Sequence, residues 1–397
     1  MNQATADFIR NNADADVRQL ALRGAKVLNV DLPFALDQIA GRQTARRKLP
    51  SWAAIDGIVY PPHLSMEQCS SEQTARYKAK VLADKCRTKT DACFVDLTGG
   101  FGVDFAFIAQ ALSVHIRRFV YVERQEHLCT IAKENFRLLR TPQTEVVCAD
   151  GVAYLQTMES AEIIFLDPAR RDNHGGRTYG ISDCMPDVLQ LRDLLLQKSR
   201  HVLLKLSPML DWRKTVSDLG EQYVREVHIV SVHNECKELL VLLGQGDGLK
   251  LMCANDDNAF EIDANGVAAT CLFDEPCAGQ FLYEPNASIM KAGCFAALSQ
   301  RLGIAAIARN SHLFISATLA SDFPGRIFQI EAVTSMNKRE LKEHLRGINQ
   351  ANITVRNFPL SVAELRHRLK LNEGGSTYIF ATTLASGDRV LLVCHKV

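Results

Sequence analysis

The sequence predicts an α/β protein: an open, mostly parallel sheet preceded by a helical head and followed by α+β modules. Three observations carry this. From Cys93 onward, short apolar runs alternate with helical stretches, as buried parallel strands joined by crossover helices do. Residues 1–90 have no such rhythm and are dominated by Ala, Leu, Arg and Lys. Residues 326–397 follow a β-α-β-α-β-β order over short, separate segments.

In the head, helices are expected over 14–28 and 33–47, with Pro50 and Pro61-Pro62 as punctuation. Ser70 followed by Gln73 fits a capping box that opens a helix running to about Cys86. The strands of the central part are CFVDL (93–97), FVYVE (119–123), TEVVCA (144–149), EIIFLD (162–167), HVLLKL (201–206), VREVHIVSV (224–232) and ELLVLL (238–243). Only HNECK separates the last two, too little for a crossover helix. They form a hairpin, which places one antiparallel strand in the sheet. Beyond Gly244 lie turn-rich GQGDG, an alternating stretch over 249–275 with a turn at Asp263–Gly266, a helix over 288–301 and a strand over 312–318. The tail then gives strand RIFQIEAV, helix NKRELKEHLRGI, strand NITVRNF, helix SVAELRHRLKL, and strands STYIFATTL and RVLLVCHK. The expected organisation is a helical domain over 1–90, an α/β domain over 91–246, a small α+β connecting domain over 247–325, and an α+β domain of ferredoxin-like size over 326–397.

At 397 residues, 47% hydrophobic and with 18 Phe, the chain has material for two or three packed cores, which excludes a disordered, collagen-like or coiled-coil protein. No apolar run approaches the roughly 18 residues of a membrane helix, and the polar, acidic start MNQATADFIRNNADADV is not a secretory segment. The 12 cysteines never form CxxC, so reduced thiols in a cytoplasm are expected rather than a disulfide or zinc framework. The net charge of +1 is unevenly spread: residues 1–90 carry +5, 91–325 carry −9, and 326–397 carry +5. A basic head and tail around an acidic centre fit a polyanion partner and, equally, ordinary surface variation.

The chemistry concentrates where strands end. The first strand runs into Asp96-Leu97-Thr98-Gly99-Gly100-Phe101-Gly102 and then a helix. Glycines at such a turn let a ligand approach the backbone, and the helix N-terminus offers free N–H donors. Glu123 ends the second strand, 27 residues after Asp96, where an acid can hold both ribose hydroxyls. Asp150, followed by Gly151, ends the third strand, and Asp167 the fourth. One carboxylate at a strand end is commonly a helix cap; four in register at the ligand-binding edge are not explained that way. A nicotinamide dinucleotide would want G-x-G-x-x-G, whereas the spacing here is G-G-x-G and Asp96 would repel a pyrophosphate.

This ordered set resembles a class I S-adenosylmethionine-dependent methyltransferase over about residues 70–245, a Rossmann-like seven-stranded sheet ending in the hairpin inferred above. The resemblance implies S-adenosyl-L-methionine as cofactor, with Asp96 at its methionine amino group, Glu123 at the ribose and Asp150 at the adenine amine. Thr98, Gly99, Gly100, Gly102 and Gly151 complete the expected cofactor site.

The methyl acceptor would lie against Asp167-Pro168-Ala169-Arg170-Arg171. Enzymes that methylate exocyclic amines often carry an acid or Asn, two prolines and an aromatic here. This chain keeps Asp167 and Pro168 but has Ala169 and Arg170 in place of the proline and the ring. Arg170 is a candidate for stacking on a base or holding a phosphate, and equally for an ordinary salt bridge. The loop 173–187 offers His174, Arg177, Tyr179, Asp183 and Asp187. Cys184 lacks the partner residues of a cysteine nucleophile. Lys205-Leu206-Ser207-Pro208 and Asn234-Glu235-Cys236-Lys237 are expected at the same edge.

The stretches QTARRKLPSW, SSEQTARYKA, DLTGGFGVDFAFIA, FLDPARR, NECKELL and ITVRNFPLSVAELRHRLKL resemble a group of bacterial methyltransferase-like proteins with a THUMP-like C-terminal domain. That resemblance implies an RNA substrate, transfer or ribosomal. Lys338, Arg339, Lys342 and Arg346, then Arg366, Arg368 and Lys370, form rows that fit phosphate contacts or solvated helix faces. A methyltransferase of a small molecule or protein, and a non-catalytic adenosylmethionine-binding protein, are the competing classes.

Overall fold

A computed structural model describes residues 1–23, 29–86, 92–170, 180–263 and 271–397. Two units emerge: Met1–Val227 with Lys237–Leu249, and His228–Cys236 with Lys250–Val397.

The first unit begins with helices α1 (Gln3–Asn11), α2 (Val17–Arg23), α3 (Leu32–Lys48), α4 (Pro50–Ala53), α5 (His63–Gln68) and α6 (Glu72–Ala83). The cap of α6 is Ser71, one residue later than the sequence pattern suggested, and its hydroxyl accepts from the Thr74 N–H. Ser70 is diverted to another task, hydrogen bonding to Asp104. Strands and helices then alternate: β1 (Cys93–Asp96), α7 (Val103–Leu112), β2 (Arg118–Glu123), α8 (Glu126–Leu138), β3 (Thr144–Cys148), α9 (Gly151–Thr157) and β4 (Ala161–Leu166). Two short strands, β5 (Ala169–Arg170) and β6 (Cys184–Met185), pair with each other. After them come α10 (Val188–Lys198), β7 (Ser199–Leu206), α11 (Trp212–Leu219), β8 (Val224–Val232) and β9 (Glu235–Gly244). Strands β3-β2-β1-β4-β7-β9-β8 stand in that order. The pairs from β3 to β7 are parallel, and β9 is antiparallel to β7, as the short hairpin required. His233 and Asn234 turn the hairpin with positive φ, the conformation a two-residue turn demands.

The head is tied to this sheet by aromatic packing and by two buried amides. Trp52, 2% exposed, meets Phe101 of the glycine turn edge-on at 5.1 Å and stacks with Phe107 of α7 at 6.4 Å. Gln38 exchanges two hydrogen bonds with the Tyr60 backbone (2.8 and 2.9 Å), and Asn135 of α8 exchanges two with the Val59 backbone (2.9 and 2.8 Å). Side-chain amides thus stand in for neighbouring strands along 59–60, satisfying backbone groups that burial would otherwise strand.

The second unit includes the antiparallel hairpin β10 (Lys250–Asn255) and β11 (Asn258–Asp263), which turns at Asp256-Asp257. Most of the turn expected at Asp263–Gly266 lies outside the described residues. β12 (Phe281–Pro285) follows, then α12 (Ala287–Ala292) and α13 (Phe295–Leu302). The single helix expected over 288–301 is therefore two, broken where Gly293 takes φ 64°. Next come β13 (Ala305–Ala306), β14 (Phe314–Ser316), β15 (Gly325–Thr334), α14 (Lys338–His344), β16 (Asn352–Arg356), α15 (Val362–Leu369), β17 (Thr377–Thr383) and β18 (Arg389–Lys396). The sheet order is β13-β14-β12-β15-β18-β17-β16. Strands on either side of residue 325 share this sheet, since β12 pairs with β15 from Phe281↔Gln329 to Pro285↔Gly325.

Trp52→Ala should cost about 3–5 kcal/mol, as large-to-small aromatic changes in a core do. A urea midpoint unchanged from the parent protein would show that the head contributes no packing energy to the glycine turn.

Candidate active site

Asp96, Thr98, Gly99, Gly100, Gly102, Glu123, Asp150, Gly151, Asp167 and Pro168 line one cleft of about 970 Å³ within the first unit. The glycine turn forms its floor. Asp96 at the end of β1 is 1% exposed, and its Oδ1 accepts from the Thr98 N–H at 2.9 Å. Burial pushes the Asp96 carboxyl well above the ordinary range; the Thr98 N–H works against this, while Asp104, Asp167 and Glu123 add to it. Gly99 has no room for a side chain: a Cβ there would sit 2.2 Å from the Tyr121 ring. Gly102, the N-cap of α7, takes φ 83°, which L side chains rarely adopt. Tyr121 donates its hydroxyl to the Gly100 carbonyl, and the Gly100 N–H donates to Glu123 Oε2 at 2.9 Å. Glu123 Oε1 accepts from the Gln125 N–H at 2.8 Å.

Asp150 caps α9, accepting at Oδ1 from the Val152 and Ala153 N–H groups, both at 3.0 Å. It is a helix cap and a cleft residue at once. Gly151 lies against β1: a Cβ there would fall 2.2 Å from the Leu97 carbonyl oxygen. At the acceptor end, the Asp167 N–H donates to Thr98 Oγ1 at 2.7 Å, which locks the fourth strand end to the glycine turn. Pro168 lines the cleft beside it. Of Arg170 only the backbone is described, paired with Cys184; His174, Arg177 and Tyr179 lie outside the described residues. Cys184 is buried, 4% exposed.

Of the two further strand-end segments, Lys205-Leu206-Ser207-Pro208 lines the cleft as expected. The second segment splits. Lys237 lines the cleft, but Asn234 instead accepts from the Ala287 N–H at 2.7 Å and the Cys236 thiol donates to the Ala287 carbonyl at 3.4 Å. A hairpin tip has only a few residues to share, and these two belong to the second unit.

Sequence reasoning missed the cluster beneath the acceptor end. Lys78 of α6, its side chain fully buried, places Nζ 2.7 Å from both Glu238 oxygens and 3.2 Å from Asp104 Oδ1 and from Ser70 Oγ. Lys205 places Nζ 2.5 Å from Asp167 Oδ2 and 3.7 Å from Asp104 Oδ2. Burial opposes the Lys205 ammonium, yet Asp167, Asp104 and Glu238 outweigh it and hold its pKa above the usual lysine value. Burial would also raise Asp104, but Lys78 and Lys205 hold it below its usual range, while Glu238 ends above its own because burial outweighs Lys78. The available signal was a lysine on the buried Thr74-Lys78-Leu82 stripe of α6, and acids inside the apolar runs VDFAFIA and ELLVLL.

The chemistry of this donor set fits S-adenosylmethionine: a buried acid for a cationic amino group, a second acid held by backbone N–H groups, and a turn whose glycines let a ligand approach the backbone. A crystal structure of a "putative methyltransferase" from Porphyromonas gingivalis W83 is similar along the whole length, with 31% identity over 99% of this chain and 98% of that one, and a TM-score of 0.85. The chain belongs to this family, the class I S-adenosylmethionine-dependent methyltransferases with a THUMP-like C-terminal domain. Family models agree for the second unit: a THUMP domain-like model matches residues 325–396 and a ferredoxin-like domain model residues 281–324. More distant is the structure of a "putative class I S-adenosylmethionine-dependent methyltransferase" from Listeria monocytogenes, with 11% identity, 62% of this chain and 89% of that one covered, and a TM-score of 0.40. A search of curated protein sequences returns no match. Among the described residues no helix is long and apolar enough to cross a membrane.

The raised Asp96 carboxyl has a consequence for stability. Its proton leaves the unfolded chain near the ordinary value but is retained longer in the folded one, so the folded state loses stability as pH rises from the unfolded towards the folded pKa. Asp96→Asn should therefore raise the urea midpoint of the cofactor-free methyltransferase at pH 7 and leave it unchanged near pH 3. Equal midpoints at both pH values would show that Asp96 carries no such burial cost.

Proposed function

We propose that this methyltransferase transfers a methyl group from S-adenosylmethionine to RNA, with the α/β part performing the chemistry and the C-terminal module contributing most of the RNA affinity. The observation that carries the catalytic half is the cleft itself, in which three strand-end carboxylates, Asp96, Glu123 and Asp150, and the glycine turn meet Asp167 and Pro168. Asp96, Thr98, Gly99, Gly100, Gly102, Glu123, Asp150 and Gly151 hold the cofactor. Asp96 takes the amino group, Glu123 the ribose and Asp150 the adenine amine. The cofactor supplies an electrophilic methyl on a sulfonium. Asp167, Pro168 and Arg170 are the residues assigned to the acceptor, where Asp167 orients the nucleophile and accepts its proton.

The RNA half rests on the THUMP-like match and on charge. Lys338, Arg339 and Lys342 are exposed at and just after the start of α14, and Arg346, Arg368 and Lys370 are exposed too. Arg366 is spent differently, donating to the Ala351 carbonyl at 3.0 Å. A protein or small-molecule acceptor remains the competing class, separated by whether total RNA takes up label.

Glu123→Ala removes charge-assisted hydrogen bonds of about 1.5–3 kcal/mol each and should weaken S-adenosylmethionine binding about 10- to 100-fold by calorimetry. Wild-type affinity in that variant overturns the assignment of the ribose acid.

Removing the tail is not a clean test of RNA binding, because β15 completes the sheet that holds β12. Neutralising Lys338, Arg339 and Lys342 to Gln leaves that sheet intact. If the three contact phosphates, the dependence of log affinity on log salt should flatten by about 2 units, at roughly 0.7–0.9 per contact. An unchanged slope in gel-shift titrations against transfer RNA would assign the module to another task.

A further inference from the structure

The ions beneath the acceptor end say which kind of atom receives the methyl group. Resting on the reading of this chain as an RNA methyltransferase, we infer that the acceptor is a ribose hydroxyl oxygen and that Lys205 is a catalytic residue for it, seated by the Lys78–Glu238 pair.

The argument begins with cost. Two lysines and three carboxylates, most of them almost wholly buried, meet within 3.7 Å contacts. Desolvating each ion costs several kcal/mol, and apolar side chains of similar size would serve the fold as well or better. They come from four separated elements: Lys78 from α6, Asp104 from α7, Lys205 from the end of β7 and Glu238 from β9, with Asp167 beyond β4. Convergence of that kind at the wall of a reaction cleft points to chemistry.

The signs then choose the acceptor. An amine nucleophile has a free lone pair at neutral pH and gains positive charge as the methyl arrives. An ammonium 2.5 Å from the acid that would stabilise that charge works against it. The second proline and the aromatic ring usual in base-amine enzymes are also missing, replaced by Ala169 and Arg170. A hydroxyl has the opposite need. It must lose a proton, and its oxygen passes through negative character before it is methylated. Here a carboxylate stands ready for the proton and an ammonium for the oxygen, the ammonium largely withdrawn from solvent and the carboxylate open to the cleft where the acceptor enters.

In the reaction the hydroxyl proton goes to Asp167. The oxygen–methyl bond forms as the methyl–sulfur bond breaks, its electron pair staying on sulfur and cancelling the sulfonium charge. The Lys205 ammonium, kept protonated by its acidic neighbours, holds the oxygen throughout. Lys78 acts only as a positioning residue: it neutralises Glu238 and Asp104, leaving Lys205 free to lean on Asp167. Among the hydroxyls of RNA, the 2′-OH is present at every nucleotide.

The test uses the full-length protein, S-adenosylmethionine with a labelled methyl, and RNA from cells lacking the protein. The RNA is digested to nucleosides, and mass spectrometry locates the methyl on sugar or base. Label on ribose is expected. Label on a base overturns this inference and leaves the RNA reading standing, whereas no label in any RNA, with the cofactor bound, overturns both. Lys205→Met should slow transfer about 100- to 1,000-fold, shift the rate profile to alkaline pH, where solvent takes over the ionisation, and leave cofactor affinity by calorimetry within twofold. Lys205→Arg, which keeps the charge and guards against misfolding, should recover part of the rate at neutral pH. Equal transfer by Lys205→Met and the parent protein at neutral pH removes Lys205 from the chemistry.

Discussion

The buried ion cluster of Lys78, Glu238, Asp104, Lys205 and Asp167 is the constraint on which the rest of the first unit turns. Lys78 lies at 0% side-chain exposure, and burying an ion that far costs the fold several kcal/mol unless counter-ions such as Glu238 and Asp104 stand against it. That requirement fixes α6 against the start of α7 and against β9, an interior strand that lies between β7 and β8. It also explains why a helical head precedes the α/β part. The head closes the cleft from the side, and through Ser70, Lys78 and Trp52 it supports both the ion cluster and the glycine turn.

The glycine turn is itself held from several sides. Glu123 receives the Gly100 N–H, Tyr121 donates to the Gly100 carbonyl, and Thr98 takes the Asp167 N–H. The ends of the first, second and fourth strands of the α/β part are thereby coupled before any ligand arrives. Such preorganisation lowers the ordering cost of binding. It also concentrates acids: Asp104, Asp167 and Glu123 all add to the rise of the buried Asp96 carboxyl, and lysines and backbone donors stand close to offset them.

Much of the fold was legible in order. The apolar runs from Cys93 to Leu243 each became strands near their expected bounds: β1, β2, β4 and β7 because parallel strands buried on both faces must be continuously apolar, while β3, at the edge of the sheet, is only partly buried. The short HNECK connection dictated the antiparallel strand. Capping was less legible: Ser70 and Ser71 are chemically equivalent as caps, and only the nearby Asp104 decides which one is diverted. The break of α12 from α13 followed from the left-handed Gly293, which periodicity does not register.

By itself the sequence determined the class of the molecule, the strand ends and the carboxylates they carry, since these depend on local pattern and on spacing along the chain. Tertiary structure alone decided what Lys78, Asp104 and Glu238 are for. Asp104 and Glu238 stand in apolar runs, which marks them as unusual without naming a partner, and Lys78 meets Glu238 across 160 positions of sequence. A buried ion has meaning only through its counter-ion, and spacing along the chain does not encode a pairing made where a helix meets an interior strand of a sheet.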